Sequence, residues 1–208
     1  GGEGLTIGGS ENLLYEAGII IGRNSLQLSS SVRGASGGPF GSDFTPLHNL
    51  SDESIGSDGG RRRSAQFNDR KAQIPIPITV RQETAVYSSL DNNGLVIVTF
   101  RLQNTSVENI SNLSFGLLVD FDQAGTETVE YDQSLNLILQ SGGSGPQVGV
   151  VGLDRLTSFK AFDNGATAKR GFTNTELFAI ISQPGLELGA AQSDDRLFIV
   201  SAGPFSFP

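Results

Sequence analysis

The segment Leu113-Ser-Phe-Gly-Leu-Leu-Val-Asp-Phe-Asp122 constrains this chain more than any other. Side chains alternate across a β-strand, so Leu113, Phe115, Leu117, Val119 and Phe121 share one face. Ser114, Gly116, Leu118, Asp120 and Asp122 share the other. The first set must lie on a core, which fixes the register. Asp120 and Asp122 are then side by side on the opposite face, about 7 Å apart at two residues' rise. The pattern predicts that they point away from the core, at the end of a central strand. Before it, Leu95-Val-Ile-Val-Thr-Phe100 reads as a second strand led in by the turn sequence Asp91-Asn-Asn-Gly94.

The same reading extends along the chain. Asn12 to Gly22 is an apolar run bounded by glycines, the mark of a strand buried on both faces. Shorter strands are expected at 25–32, 135–139, 148–153, 158–162 and 196–202. Ile74-Pro-Ile-Pro-Ile-Thr-Val80 cannot donate ladder bonds at its prolines and reads as an edge or extended segment. Residues 34–63, dense in Gly, Ser, Asp and Pro, read as a long surface excursion. Thr173-Asn-Thr-Glu176 has capping-box spacing, and Leu177, Ile180 and Ile181 give an apolar stripe that Pro184-Gly185 ends. The expected fold is all-β: a two-sheet antiparallel sandwich over residues 1–208, in one domain, with one short helix near 174–182.

Composition narrows the chemistry. With no Cys, no Met, no Trp and one His among 208 residues, disulfides and thiolate or Cys-type zinc sites are excluded. The lack of easily oxidised side chains and the wealth of Gly, Ser, Thr and Asn fit an exported bacterial β-protein. A net charge of −8 argues against nucleic acid as a partner. No stretch approaches 18 apolar residues, so no membrane-spanning helix is expected. The chain begins at Gly1 without a signal peptide and is expected to be a processed product or part of something longer.

Asn12-Leu-Leu-Tyr-Glu-Ala-Gly18, Val32-Arg33, Asp43-Phe44, Val96 to Asn104, and Gly116 to Asp122 followed by Tyr131-Asp132 carry a resemblance. Together they are similar to a β-rich domain of large secreted bacterial proteins. That domain is often found C-terminal to the catalytic domain of secreted subtilisin-like serine peptidases. The family pattern is a strand, Asn-Thr, a polar turn, and a second strand ending Gly-Leu-Phe-x-Asp-Trp-Asp. Here it reads Asn104-Thr105, then Gly116-Leu117 and Asp120-Phe121-Asp122, with Phe121 in place of Trp. The resemblance implies an extracellular accessory module. It also implies a further apolar strand after Gly203-Pro204-Phe205, where this sequence stops at Pro208. A sandwich lacking that strand either closes without it or is completed by strand addition near the C-terminus, from a protein partner or a copy of itself.

The strand-end acids Asp120, Asp122, Glu127, Glu130 and Asp132 are the best candidate site. Calcium takes six to eight oxygen ligands, which such a cluster and nearby carbonyls could supply, although the spacing is not that of an EF-hand. The alternative is a solvated acidic rim. A glycosidase pair would need a sugar platform that a chain without Trp does not offer. A serine triad would have to use His48, read as an exposed loop residue, and no Gly-x-Ser-x-Gly elbow exists. Gly1–Gly9 and Gly142–Gly149 lack the Lys-Ser/Thr ending of a phosphate loop. Arg61-Arg62-Arg63 is the one locally basic run, an anionic-polymer contact or a solvated loop. The sequence thus points to a non-catalytic extracellular or cell-surface module, accessory or structural-adhesive. Its rival is a carbohydrate- or ligand-binding module, with or without calcium.

Overall fold

The computed structural model describes residues 5–6, 12–35, 42–53, 60–87, 94–143, 145–165, 170–186, 191–193 and 195–208. In chain order the strands are β1 (Leu14–Gly22), β2 (Leu28–Ser30), β3 (Thr45–Glu53), β4 (Arg61–Asn68), β5 (Ile78–Val86), β6 (Val96–Asn104) and β7 (Ile110–Phe121). They continue with β8 (Glu127–Asp132), β9 (Leu137–Gly142), β10 (Val148–Val151), β11 (Ser158–Asp163), β12 (Gly185–Leu186), β13 (Ala191–Ser193) and β14 (Arg196–Phe207). The helix α1 (Asn174–Ser182) lies between β11 and β12.

These elements form an all-β, sandwich-like fold. A six-stranded sheet ordered β12-β11-β14-β7-β1-β2 is its centre. One face carries Ile20, Leu118, Leu197 and Ile199, which pack beneath Leu177 and Ile181 of α1. The opposite face is shared by two four-stranded sheets. Val119, Phe121, Phe198 and Val200 meet Val129, Tyr131, Ile138 and Val148 of the sheet β10-β9-β8-β13. Ile19, Ile21 and Leu113 meet Ile78 and Val80 of the sheet β3-β4-β5-β6, called here the arm. The expected second layer is thus divided in two.

Phe115, Leu117, Val119 and Phe121 do face the sandwich core, as the alternation requires. The other face, however, is not a solvent face. Asp120 lies 1% exposed on it, because α1 and its flanking loops cover that side as well. One further expectation changes. The stretch 34–63 contains the edge strand β3, so His48 sits on a strand rather than in a loop. Although β6 and β7 are consecutive, they do not form a hairpin: β6 ends the arm and β7 lies inside the central sheet. The turn between them carries the chain from one layer to the other. Ile74–Pro77 precedes β5, where the missing proline N–H groups are harmless.

Two acids dock the arm. Buried Asp69, at the end of β4, accepts bonds through Oδ2 from Ser29 Oγ at 2.9 Å and the Ile76 backbone N–H at 2.6 Å. Asp43 accepts the Ser30 backbone N–H at 2.8 Å. Both anchor the arm to β2. Beyond this junction the arm runs past the core, leaving Val86, Val96 and Val98 exposed on its core-side face.

The helix begins where the capping box places it: Thr173 Oγ1 accepts the Glu176 N–H, and the Glu176 carboxylate accepts the Thr173 N–H. It packs closely because β7 offers a glycine beneath it. A Cβ on Gly116 would lie 2.5 Å from Ile181 Cγ2. Gly116→Ala should therefore destabilise the fold by about 1–3 kcal/mol, the usual cost of overpacking. Urea denaturation with an unchanged m-value is the check, and wild-type stability would show that α1 yields freely.

Candidate functional site

The densest polar site lies beneath the loop that follows β2. Glu16 and Asp120 are Cα partners on β1 and β7, so their side chains share the helix-side face. Two like charges directly opposite destabilise a sheet. Arg33 resolves the conflict. Its Nη2 lies 2.6 Å from Glu16 Oε2 and 2.5 Å from Asp120 Oδ2, and its Nε donates to Glu16 Oε2 at 2.6 Å. Nη1 donates to Asn164 Oδ1 at 2.6 Å. Asn164 Nδ2 in turn donates to Asp120 Oδ2 at 3.0 Å and Asp195 Oδ1 at 3.1 Å. The Tyr15 ring lies over the guanidinium, 5.7 Å from its centroid. Burial raises the Asp120 carboxyl, and the charge and hydrogen bond of Arg33 oppose it, leaving Asp120 at about 6.

A second buried acid closes the sandwich between the central sheet and β8. Glu127 Oε1 accepts the Gln123 N–H at 2.9 Å; Oε2 accepts the Arg196 N–H at 2.5 Å and Gln140 Nε2 at 3.0 Å. Gln140 Nε2 also reaches the carbonyls of Phe121 and Arg196. One carboxylate thus gathers the end of β7, the start of β14 and two strands of the neighbouring sheet. Burial pushes Glu127 up to about 7, against the two backbone N–H bonds that favour its charge.

The five acids singled out by sequence therefore divide. Asp120 and Glu127 are buried in separate networks, whereas Asp122, Glu130 and Asp132 are exposed. Asp132 turns back on its own loop, accepting the backbone N–H groups of Ser134 and Leu135. Among the described residues no group of three or more His, Asp or Glu is placed to hold a metal ion. Sequence reasoning missed Glu16, Asn164 and the part played by Arg33. A signal existed: Glu16 is the lone charge between Leu13 and Ile21, a run otherwise read as buried. A charge there calls for a partner.

Two outcomes follow from the networks. Arg33→Met strands two buried carboxylates and should cost about 3–5 kcal/mol, as for other buried pairs broken on one side. A loss below 1 kcal/mol would show that water replaces the guanidinium. For pH, both Asp120 and Glu127 have folded-state values above those of the unfolded chain, so the native state binds their protons more tightly. Their contribution is full below about pH 4 and is lost as pH rises through about 6 and about 7. The urea midpoint should fall between pH 5 and pH 8, and Glu127→Gln should shrink that fall. A midpoint that is flat or rises over this window contradicts the assignment.

No protein-family model, curated protein or solved structure matches this chain.

Proposed function

We propose that this chain is a non-catalytic accessory or structural-adhesive module of a larger secreted or cell-surface bacterial assembly. The observation that supports it best is the use made of its interior acids. Asp120 and Glu127 join separate strands and loops, each held by hydrogen-bond donors from more than one element. Neither faces His48, which lies on the arm at the other side of β1. The composition, free of Cys and Met, and the resemblance of the β1 and β6–β7 segments to a domain of secreted proteins favour export.

Assembly by strand addition has a place to occur. Arg196–Ser201 of β14 pair with β11 on one side, and Phe198–Ala202 pair with β7 on the other. Ala202–Phe207 continue along β7 while, among the described residues, no strand pairs with their other side. That outer side is the edge a neighbouring segment would take. The rival reading, a ligand-binding module, is favoured by a groove of about 450 Å³ on the arm, lined by His48, Ser51, Gln66 and Arg81 among others.

Antibody detection across culture medium, surface and cytoplasm tests the reading: the chain is expected in the first two, and confinement to the cytoplasm overturns it. Treatment with a serine-reactive fluorophosphonate should leave the chain unlabelled; labelling that disappears in His48→Ala would make it a hydrolase. Light scattering at micromolar concentration tests self-assembly, which a strictly monomeric chain would refute.

A further inference from the structure

The free end of the arm exposes an apolar strip that the core does not reach. Val86 on β5 pairs with Val96 on β6, and Thr84 with Val98, so the three valines share the core-side face. All three are exposed, because that end of the arm runs past the central sheet. Arg61 on β4 pairs with Val86 and is exposed on the same face. Arg63 follows it on that face, opposite Asp52 in the register. The strip is thus apolar, with Arg61 at its end.

A second apolar strip lies on the outer face of the sheet β10-β9-β8-β13. Val129, Tyr131, Ile138, Val148 and Val150 point into the core. Alternation therefore turns Glu130, Asp132, Leu137, Leu139 and Val151 outward. The register sets Asp132, Leu137 and Val151 in one row and Glu130, Leu139 and Gly149 in the next. Leu137 lies flat over Gly149, where a Cβ would come within 3.1 Å of Leu137 Cδ1. The adjoining turns add Leu135 and Leu153, the latter 80% exposed. Asn136 ties these turns together. Its Nδ2 donates to the carbonyls of Gly152 at 2.7 Å and Asp154 at 2.9 Å, and its Oδ1 accepts the Tyr131 hydroxyl at 2.9 Å. β8, β9 and β10 contain no Lys or Arg, so Glu130 and Asp132 give this strip an acidic border. Beside Leu153, Asp154 and Arg155 are opposite in charge.

We infer that the exposed end of the arm's core-side face docks on the outer face of β8, β9 and β10 of a second copy, joining copies head to tail. The inference rests on the reading of the chain as a module of a larger assembly and names a copy of the chain as the partner. Single exposed apolar side chains are ordinary, whereas contiguous strips bordered by charge mark contact surfaces. Each strip spans three strands, about 10 Å across, and sheets pack face to face over such surfaces. The borders carry opposite charge, Arg61 against Glu130 and Asp132. Pairing like strips would set Arg61 against Arg61, or Glu130 against Glu130, so charge selects the unlike pairing. The two strips cannot meet within one copy. Both small sheets stand on the same side of the central sheet; the arm's strip faces toward that sheet, and the other faces away from it. A contact between unlike surfaces leaves one of each open on every pair and so extends. A patch of this size belongs to the small, transient class of interfaces, populated in the upper micromolar range.

Amide NMR shifts of the full chain, followed from micromolar to millimolar concentration, test the contact. Concentration-dependent shifts are expected in two groups: around Arg61, Val86 and Val96, and on β8 to β10 with the Leu135 and Leu153 turns. Arg61→Glu and Glu130→Arg, both at exposed positions, should each keep a folded spectrum and weaken self-association by roughly tenfold or more. Mixing the two variants should restore it. The reversed arm of one then meets the reversed sheet of the other, and their two unaltered faces also match. A general loss of structure in either variant would not be repaired by mixing. Shifts absent at millimolar concentration, shifts on one strip only, or a mixture that associates no more tightly than each variant alone would overturn the proposal. Shifts on Ala202–Phe207 instead would overturn it in favour of strand addition at β14. None of these results bears on the cellular location of the chain, so failure here is separable from failure of the accessory-module reading.

Discussion

A single guanidinium between two facing carboxylates organises the helix side of this molecule. β1 and β7 are neighbours for most of their length, and their register sets Glu16 against Asp120. Without Arg33 that pairing would oppose the hydrophobic register that the rest of β1 and β7 requires. With it, the loop after β2 is drawn onto the sheet, and the Arg33 backbone N–H also donates to Glu16 at 3.1 Å. The consequences continue along the chain. Gly34 then bridges Phe172, which enters the core against Phe162, and Thr173 follows at once to cap α1. Gly171 can pass this close because it lacks a Cβ and adopts φ +72°. Helix, loop and central sheet are positioned together by one ion network.

Buried charge is costly, and this fold holds it in ways that differ by location. Asp120 meets a full positive charge. Glu127 meets only dipoles, two backbone N–H groups and a carboxamide, which leaves it the more easily protonated of the two. Asp69 is also satisfied by neutral donors, a hydroxyl and a backbone N–H, and burial again raises its pKa. Each of the three sits at a junction between strands and loops of different layers. Apolar packing alone would hold these layers but would not fix how they meet; directional bonds to an acid do so.

Much of this architecture was legible in the sequence, for physical reasons that can be named. Alternation in Leu113–Asp122 determined the inward face of β7, and the capping box with its apolar stripe placed α1 over 174–182. Strand β1 was readable as buried on both faces because isoleucines occupy both parities, with Ile19 and Ile21 in one core and Ile20 in another. What alternation could not reveal was that the second face of β7 is covered too. That depends on α1, which lies more than fifty residues away in the chain. Asp120 was therefore read as rim when it is interior. Residues 45–53 escaped notice as a strand because Pro46, Asn49 and Asp52 lower β-propensity, and pairing with β4 overrides it. The candidate acids were found as a cluster in sequence, but strand geometry sends them to opposite faces and different networks.

The arm shows why local charge, not net charge, decides what a surface can meet. The protein is acidic as a whole, yet Arg61, Arg62, Arg63, Arg81 and Arg101 all belong to three adjacent strands of one sheet. Alternation divides them. Arg61 and Arg63 share the core-side face with Val86, Val96 and Val98, whereas Arg62, Arg81 and Arg101 take the outer face. At physiological salt, charges on the acidic body farther than about 8 Å are largely screened from the outer face of the arm. An edge-protecting role would require only scattered charges along β3 and β6. Arg81, however, is on an interior strand of the sheet, where no edge needs protecting, and its cross-strand neighbour is another arginine. Edge protection accounts for Arg101; Arg81 instead lies opposite Gln66 in the register and 3.9 Å from Glu83 of its own strand.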